Sequence, residues 1–318
     1  MVGAALLVLL GGFTVLNWAP DRPASELAAR WAGPPSEFHP IAGLTAHLRD
    51  EGRRDDPLSV VLLHGTSASL HTWDGWVEVL APERRVVRVD LPGFGLTGPA
   101  PDGDYRIGRY VEFVTALLDT LGIERCVLAG NSFGGWVAWE TALAEPARVG
   151  ALILVDSAGY PLESQSVPIG FRIARIPLLN RLMEVTLPRG VIESSLRNTY
   201  GDPSRVTPEL VDRYSELTLR EGNRAALAKR FADRRHSDRT ARLSELQVPT
   251  LILWGGRDRL IPPAYGERFR SDIAGSRLVV FPALGHVPHE EDPTATAAAA
   301  RTFLDELGRD DAPATSPE

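Results

Sequence analysis

A single cysteine, Cys126, in 318 residues excludes an internal disulfide, and no Cys or His spacing suits a zinc ion. An excess of basic charge is missing too. The formal net charge is -7, and binding along nucleic-acid phosphates needs a concentrated basic footprint, so nucleic acid is excluded as the partner. There is no internal repeat. With 44% hydrophobic and 24% charged residues, the low-hydrophobicity composition of a disordered chain is also absent. Charge of either sign is lacking from Val2 to Pro20, a stretch containing "GAALLVLLGGFTVLNW" that is close to the minimum for spanning a bilayer, with Trp18 suited to the interface. No basic residue directly follows Met1 and no small-x-small cleavage site stands near Trp18, so residues 1–20 read as an uncleaved hydrophobic anchor or leader. The alternative is a buried or interfacial first helix, weakened by Gly11, Gly12 and Asn17.

What is present begins with a spacer over residues 21–35, one short helix closed by Pro34 and Pro35. Strand patterns follow at His39–Ile41, Thr45–Leu48, Ser59–Leu63, Arg85–Asp90, Arg125–Ala129, Ala151–Asp156, Thr250–Trp254 and Arg277–Phe281. Helix patterns at Gly108–Leu121 and Gly134–Leu143 alternate with them, as parallel βαβ units require. The inner runs are nearly continuous in Val, Leu and Ile, the mark of strands covered on both faces. The alternation stops over 160–245, where amphipathic helices punctuated by Pro177, Pro188, Pro203 and Pro208 read as an inserted helical cap. From Tyr160 to Gln247 there are 15 basic and 11 acidic residues, so this insertion is basic and the remainder more acidic than the whole. The core is expected over 36–159 and 246–307, and a disordered tail over 308–318.

Gly130-Asn131-Ser132-Phe133-Gly134 fits G-x-S-x-G with a strand pattern before it and a helix pattern after it, the context of a nucleophile elbow. Ser132 at a helix N-terminus would face free N–H groups and the positive end of the helix dipole. A serine hydroxyl needs a base to take its proton and an acid to hold that base. His286 lies in the loop after the Arg277–Phe281 strand and Asp258 after the Thr250–Trp254 strand, giving the order Ser, Asp, His. His289, three residues on, competes for the base role; among Glu290, Glu291 and Asp292 it is expected to pair at the surface. Asp156, also at a strand end, competes for the acid role. For an oxyanion hole, backbone N–H donors are expected from Phe133, after the serine, and from Thr66 in "LLHGTSASLHTW", with Gly65 permitting close approach. His64 reads as an imidazole fixing that loop, and Asp90 in "VDLPGFG" as a structural turn residue.

"HGTSAS", "DLPGFGLTG", "GNSFGG", "GGRDRLIP" and "GHVPHEEDP" stand in an order and spacing that resembles the α/β-hydrolase superfamily over about 36–307. The chain is similar to bacterial serine hydrolases with a helical lid and a membrane-proximal leader. That resemblance implies an α/β fold with a mostly parallel eight-stranded sheet flanked by helices. It also implies Ser132 as nucleophile, Asp258 as acid, His286 as base and the Thr66 and Phe133 amides as oxyanion donors. Epoxide hydrolases and haloalkane dehalogenases of this fold carry aspartate in place of Ser132. "GNS" is similar to hydrolases that cleave carbon-carbon bonds of ring-fission products, but those place tryptophan after the base, where this chain has Val287.

The expected activity is a carboxylesterase acting on apolar acyl esters through an acyl-enzyme, without cofactor or metal. Carbon-carbon bond hydrolysis, perhydrolysis or haloperoxidase chemistry by the same triad, and a membrane-tethered binding module without catalysis, are the alternatives. The expected partners are a small-molecule ester and a membrane held through residues 2–20, with the domain on the periplasmic or extracytoplasmic side. The Phe171–Leu187 stretch, with Arg172, Arg175 and Arg181, reads as a cap helix over the site or, alternatively, a bilayer-surface segment.

Overall fold

The computed structural model describes residues 12, 14–176, 179, 183–232 and 239–310. Most of the expected anchor, Pro177 and Arg181 of the cap, and residues 311–318 of the tail lie outside the described residues. Helix α1 (Ala24–Trp31) precedes β1 (Ser36–Ile41) and β2 (Leu44–Gly52), and then β3 (Ser59–Leu63), α2 (Asp74–Leu80) and β4 (Arg85–Val89). Next come α3 (Ile107–Thr120), β5 (Cys126–Asn131), α4 (Phe133–Ala144) and β6 (Val149–Val155). Between β6 and β7 (Thr250–Gly255) stand α5 (Ile169–Ala174), α6 (Arg189–Thr199), α7 (Pro208–Thr218) and α8 (Asn223–Ala232). The chain closes with α9 (Ala264–Asp272), β8 (Arg277–Phe281), α10 (Pro288–Glu291) and α11 (Pro293–Asp310).

The eight strands form one sheet in the order β1-β2-β4-β3-β5-β6-β7-β8. β1 pairs β2 and β2 pairs β4 antiparallel, while every other neighbour is parallel. Period-two alternation sends the side chains of one strand to two cores. Val61 and Leu63 of β3 and Leu128 of β5 join Phe113, Val137 and Phe269 on one face. Val60 and Leu62, with Val127 and Ala129, join Trp73, Trp76 and Phe303 on the other. Because helices cover both faces, the inner strands read as continuous apolar runs rather than alternating ones.

Helix α1, within the 21–35 stretch, is packed down: Leu27 is buried against Leu96 and Leu217, and the Trp31 indole N–H donates to Glu216 at 2.7 Å. Cys126 lies in β5, where burial pushes its thiol up to about 12. Among the described residues no helix is long and apolar enough to cross a membrane. Asn17 and Ala19 instead pair with the cap, with Ala19 N–H donating to Val185 O at 2.9 Å and Leu187 N–H to Asn17 O at 3.3 Å.

Candidate active site

Between β5 and α4 the chain reverses within one residue. Ser132 takes φ 54° and ψ -115°, a positive φ that costs a non-glycine residue energy and is held by its surroundings. Its N–H donates to Val155 O at 2.9 Å, and its carbonyl accepts from Trp136 at 3.2 Å and Ala158 at 2.9 Å. The flanking glycines are sterically required. A Cβ on Gly130 would stand 2.3 Å from the Gly134 backbone, and one on Gly134 would stand 2.2 Å from Leu63 O.

Asp258 and His286 are brought into direct contact. Nδ1 of His286 lies 2.7 Å from Oδ2 of Asp258, both groups buried. An ionised carboxylate only accepts, so Nδ1 carries the proton and Nε2 keeps its lone pair. The other carboxylate oxygen, Oδ1, accepts the Leu260 and Ile261 N–H groups at 2.8 and 2.9 Å, which fixes the aspartate in its loop. Ser132 shares a cavity wall with His286, though no hydrogen bond joins their side chains. Such contacts commonly tighten only when substrate arrives.

Sequence reasoning missed two residues that hold this arrangement. The Asn131 amide donates to Val155 O at 3.2 Å and to His286 O at 3.0 Å, tying the elbow to the histidine loop. Glu291 is buried, its Oε2 accepting from Gly285 and Gly201 at 2.8 and 2.9 Å and its Oε1 from Asp202 at 2.8 Å. The His286 N–H itself donates to Thr199 O of α6 at 2.7 Å, so the cap helps to place the histidine. Only a position inside the G-N-S motif marked Asn131; nothing local marked Glu291.

The competitors resolve into distinct environments. His289 is not at the surface, as its acidic neighbours suggested. It is 1% exposed, packed 4.1 Å from the Trp73 ring, with neither ring nitrogen partnered among the described residues. Burial, then the neighbouring His286, pushes it well below the usual histidine range. Its acidic neighbours turn to the cap instead: Glu290 pairs with Arg213 and accepts from Tyr214 at 2.9 Å.

Asp156 lies beside Asp258, and one oxygen of each and a His286 nitrogen fall within 4.8 Å of one another, all buried. Oδ1 of Asp156 accepts from Gly255 N–H at 3.0 Å, while among the described residues its Oδ2 has no assigned hydrogen-bond partner. Burial, then the charge of Asp258, holds the Asp156 carboxyl well above its ordinary range. His64 behaves as expected: Nε2 accepts from Leu91 N–H at 2.9 Å, so Nδ1 donates to Gly65 O at 2.7 Å. Asp90 likewise accepts from the Leu70 and Leu96 N–H groups, each at 2.8 Å, and from His47 at 2.7 Å.

Gly65 allows the loop after β3 to approach the elbow, since a Cβ there would stand 2.7 Å from Asn131 Oδ1. Thr66 follows and lines the same cavity as Ser132 and His286. Phe133 opens α4, so its N–H has no carbonyl one turn earlier to bind. The cavity lies beneath the cap, whose Phe171, Met183, Leu187, Ile192, Leu196 and Leu227 make its wall apolar. A serine, a histidine held in the accepting tautomer and an apolar chamber suit attack on a carbonyl carbon.

Residues 59–293 match the family described as alpha/beta hydrolase fold. A 2-hydroxy-6-oxononadienedioate/2-hydroxy-6-oxononatrienedioate hydrolase of Pseudomonas putida is 34% identical over 257 residues, 76% of this chain and 85% of that protein. The solved structure of a thermophilic esterase from Thermogutta terrifontis is 28% identical, with TM-score 0.71, over 86% of this chain and 98% of that one. A membrane phospholipase A, at 24% identity and TM-score 0.76, covers 96% of this chain and 98% of its own, a likeness that shows the fold alone. With elbow, sheet order and family match in agreement, the chain belongs to the alpha/beta hydrolase fold family and is a hydrolase.

Proposed function

We propose that the protein is a serine carboxylesterase acting on apolar acyl esters. Ser132 attacks the ester carbonyl, and His286 accepts its proton and returns it to the departing alcohol. Asp258 orients and stabilises the imidazolium, while the Thr66 and Phe133 amides hold the oxyanion. Water then releases the acyl group by the same steps. The reading is carried by the Asp258–His286 bond opening on the cavity that Ser132 lines, with an apolar cap wall to receive an acyl chain.

Release of p-nitrophenol from acetate, butyrate, octanoate and palmitate esters tests it. Turnover that falls by several orders of magnitude in Ser132→Ala, with a maximum among the longer chains, is the expected result. No turnover of any ester by folded protein defeats the reading. A second reading, carbon-carbon bond hydrolysis, is favoured by the Pseudomonas putida relative. Val287 after the histidine stands against it.

The membrane tether is proposed with it, supported by the charge-free stretch at residues 2–20 and by the exposure of Val15, Leu16 and Trp18. Deleting residues 2–16 keeps Asn17 and Ala19 on the cap and should abolish flotation with phospholipid vesicles while leaving ester turnover intact. Flotation that survives the deletion removes the tether.

A further inference from the structure

Arg230, near the end of α8, is a buried cation with no carboxylate partner among the described residues. Burial pushes its guanidinium down to about 10, which leaves it charged at neutral pH. Among the described residues its buried Nε has no hydrogen-bond partner. A buried, unpaired charge is costly, and a methionine of similar length would fill the space without that cost. What Arg230 touches gives it a use. Nη2 donates to Thr66 Oγ1 at 2.6 Å, and the guanidinium carbon stands 4.3 Å from the centre of the Phe133 ring. The Phe231 and Phe94 rings, at 5.0 and 5.9 Å, complete an aromatic box around it. One cap side chain therefore holds both residues whose amides form the oxyanion pocket, one from the loop after β3 and one from the elbow.

We propose that Arg230 is a positioning residue for the oxyanion pocket, which makes catalytic competence depend on the docked cap. This rests on the serine-hydrolase reading above. Thr66 Oγ1, accepting from a cation, keeps its own proton to donate, and the guanidinium polarises that hydroxyl as a further donor toward developing negative charge. The dry surroundings reduce screening of the positive charge.

The test is kcat and KM on p-nitrophenyl butyrate for wild type, Arg230→Met, Arg230→Lys, Thr66→Val, the Arg230→Met/Thr66→Val double variant and Ser132→Ala. Removing one oxyanion donor typically costs about 10²–10³ in kcat, so weakening the pocket should cost about 10–100-fold, with KM changed by less than about threefold. Arg230→Lys should recover part of this loss. The double variant should be no slower than the slower single, because both changes break one unit. A residue that only docks the cap predicts the reverse: unchanged kcat, raised KM, and losses that multiply in the double variant. That pattern overturns the inference. If Arg230→Met does not fold, unchanged kcat in folded Arg230→Lys and Thr66→Val overturns it equally. Turnover lost in Ser132→Ala keeps the serine reading whatever Arg230 does. Turnover surviving there removes that reading and this inference together.

Discussion

At the scale of single residues, two neighbouring aspartates stand in contrasting environments. Asp258 accepts two loop N–H groups and faces the histidine. Asp156 has one N–H and an oxygen with no partner among the described residues, and burial, then the charge of Asp258, holds its carboxyl well above its ordinary range. Asp258→Asn should therefore lower kcat by about 10⁴, through the wrong imidazole tautomer, while Asp156→Asn should stay near wild type. The same asymmetry has a sign in stability. A carboxyl raised in the folded state favours unfolding once pH exceeds its unfolded value, about 3.9, so Asp156→Asn should raise the melting temperature at pH 7 and not at pH 3. Inactive Asp156→Asn with active Asp258→Asn would exchange the two roles. The glycine pair and the family resemblance of "GGRDRLIP" pointed to Asp258, but neither that segment nor "LILVDSAG" carried the contrast in environment between the two aspartates. That contrast is set by the neighbours gathered around each one.

At the scale of elements, the histidine loop is a junction rather than a free loop. Glu291 of α10 binds the N–H groups of Gly285 beside the histidine and of Gly201 and Asp202 beyond α6, so it fastens core to cap. Glu291→Ala leaves three N–H donors without their acceptor and should cost about 3 kcal/mol in urea unfolding. It should also lower kcat, because His286 hangs from the same loop. A kcat equal to wild type in the folded variant would show that the junction serves stability alone. The "HEED" run read as solvated charge, because four polar residues in sequence carry no hint of which neighbours they will meet. The elbow was legible for the opposite reason: its constraint is local, and glycines where any Cβ would stand 2.2–2.3 Å from backbone announce themselves in sequence.

At the scale of the whole molecule, charge separated along the chain becomes charge paired across it. The basic insertion docks on the acidic remainder through Arg213–Glu290, Arg224–Asp21 and Arg239–Glu140. Deeper in the core, Asp90 pins two loops that border the site. Burial alone would raise its carboxyl, but the charge and hydrogen bond of His47 pull it well below the usual range. A carboxyl lowered in the folded state stabilises above its unfolded value, about 3.9, and that stability is lost as pH falls. Asp90→Asn should thus cost about 3–5 kcal/mol at pH 7, with the gap to wild type narrowing towards pH 3 in melting-temperature measurements. A constant gap across that range would show that the Asp90 charge does not contribute.

The sequence by itself determined the strands, the alternation that makes the sheet parallel, the sharp turn at Ser132 and the chain order of serine, aspartate and histidine. Each of these is set by periodicity or by steric demands between residues close along the chain. Tertiary structure alone decided how differently Asp156 and Asp258 are surrounded, where His289 and Glu291 turn, and that a cap arginine closes on Thr66 and Phe133. Those outcomes depend on groups brought together from distant segments, and the energies that select them, burial against hydrogen bonding and charge, exist only once the surfaces have met.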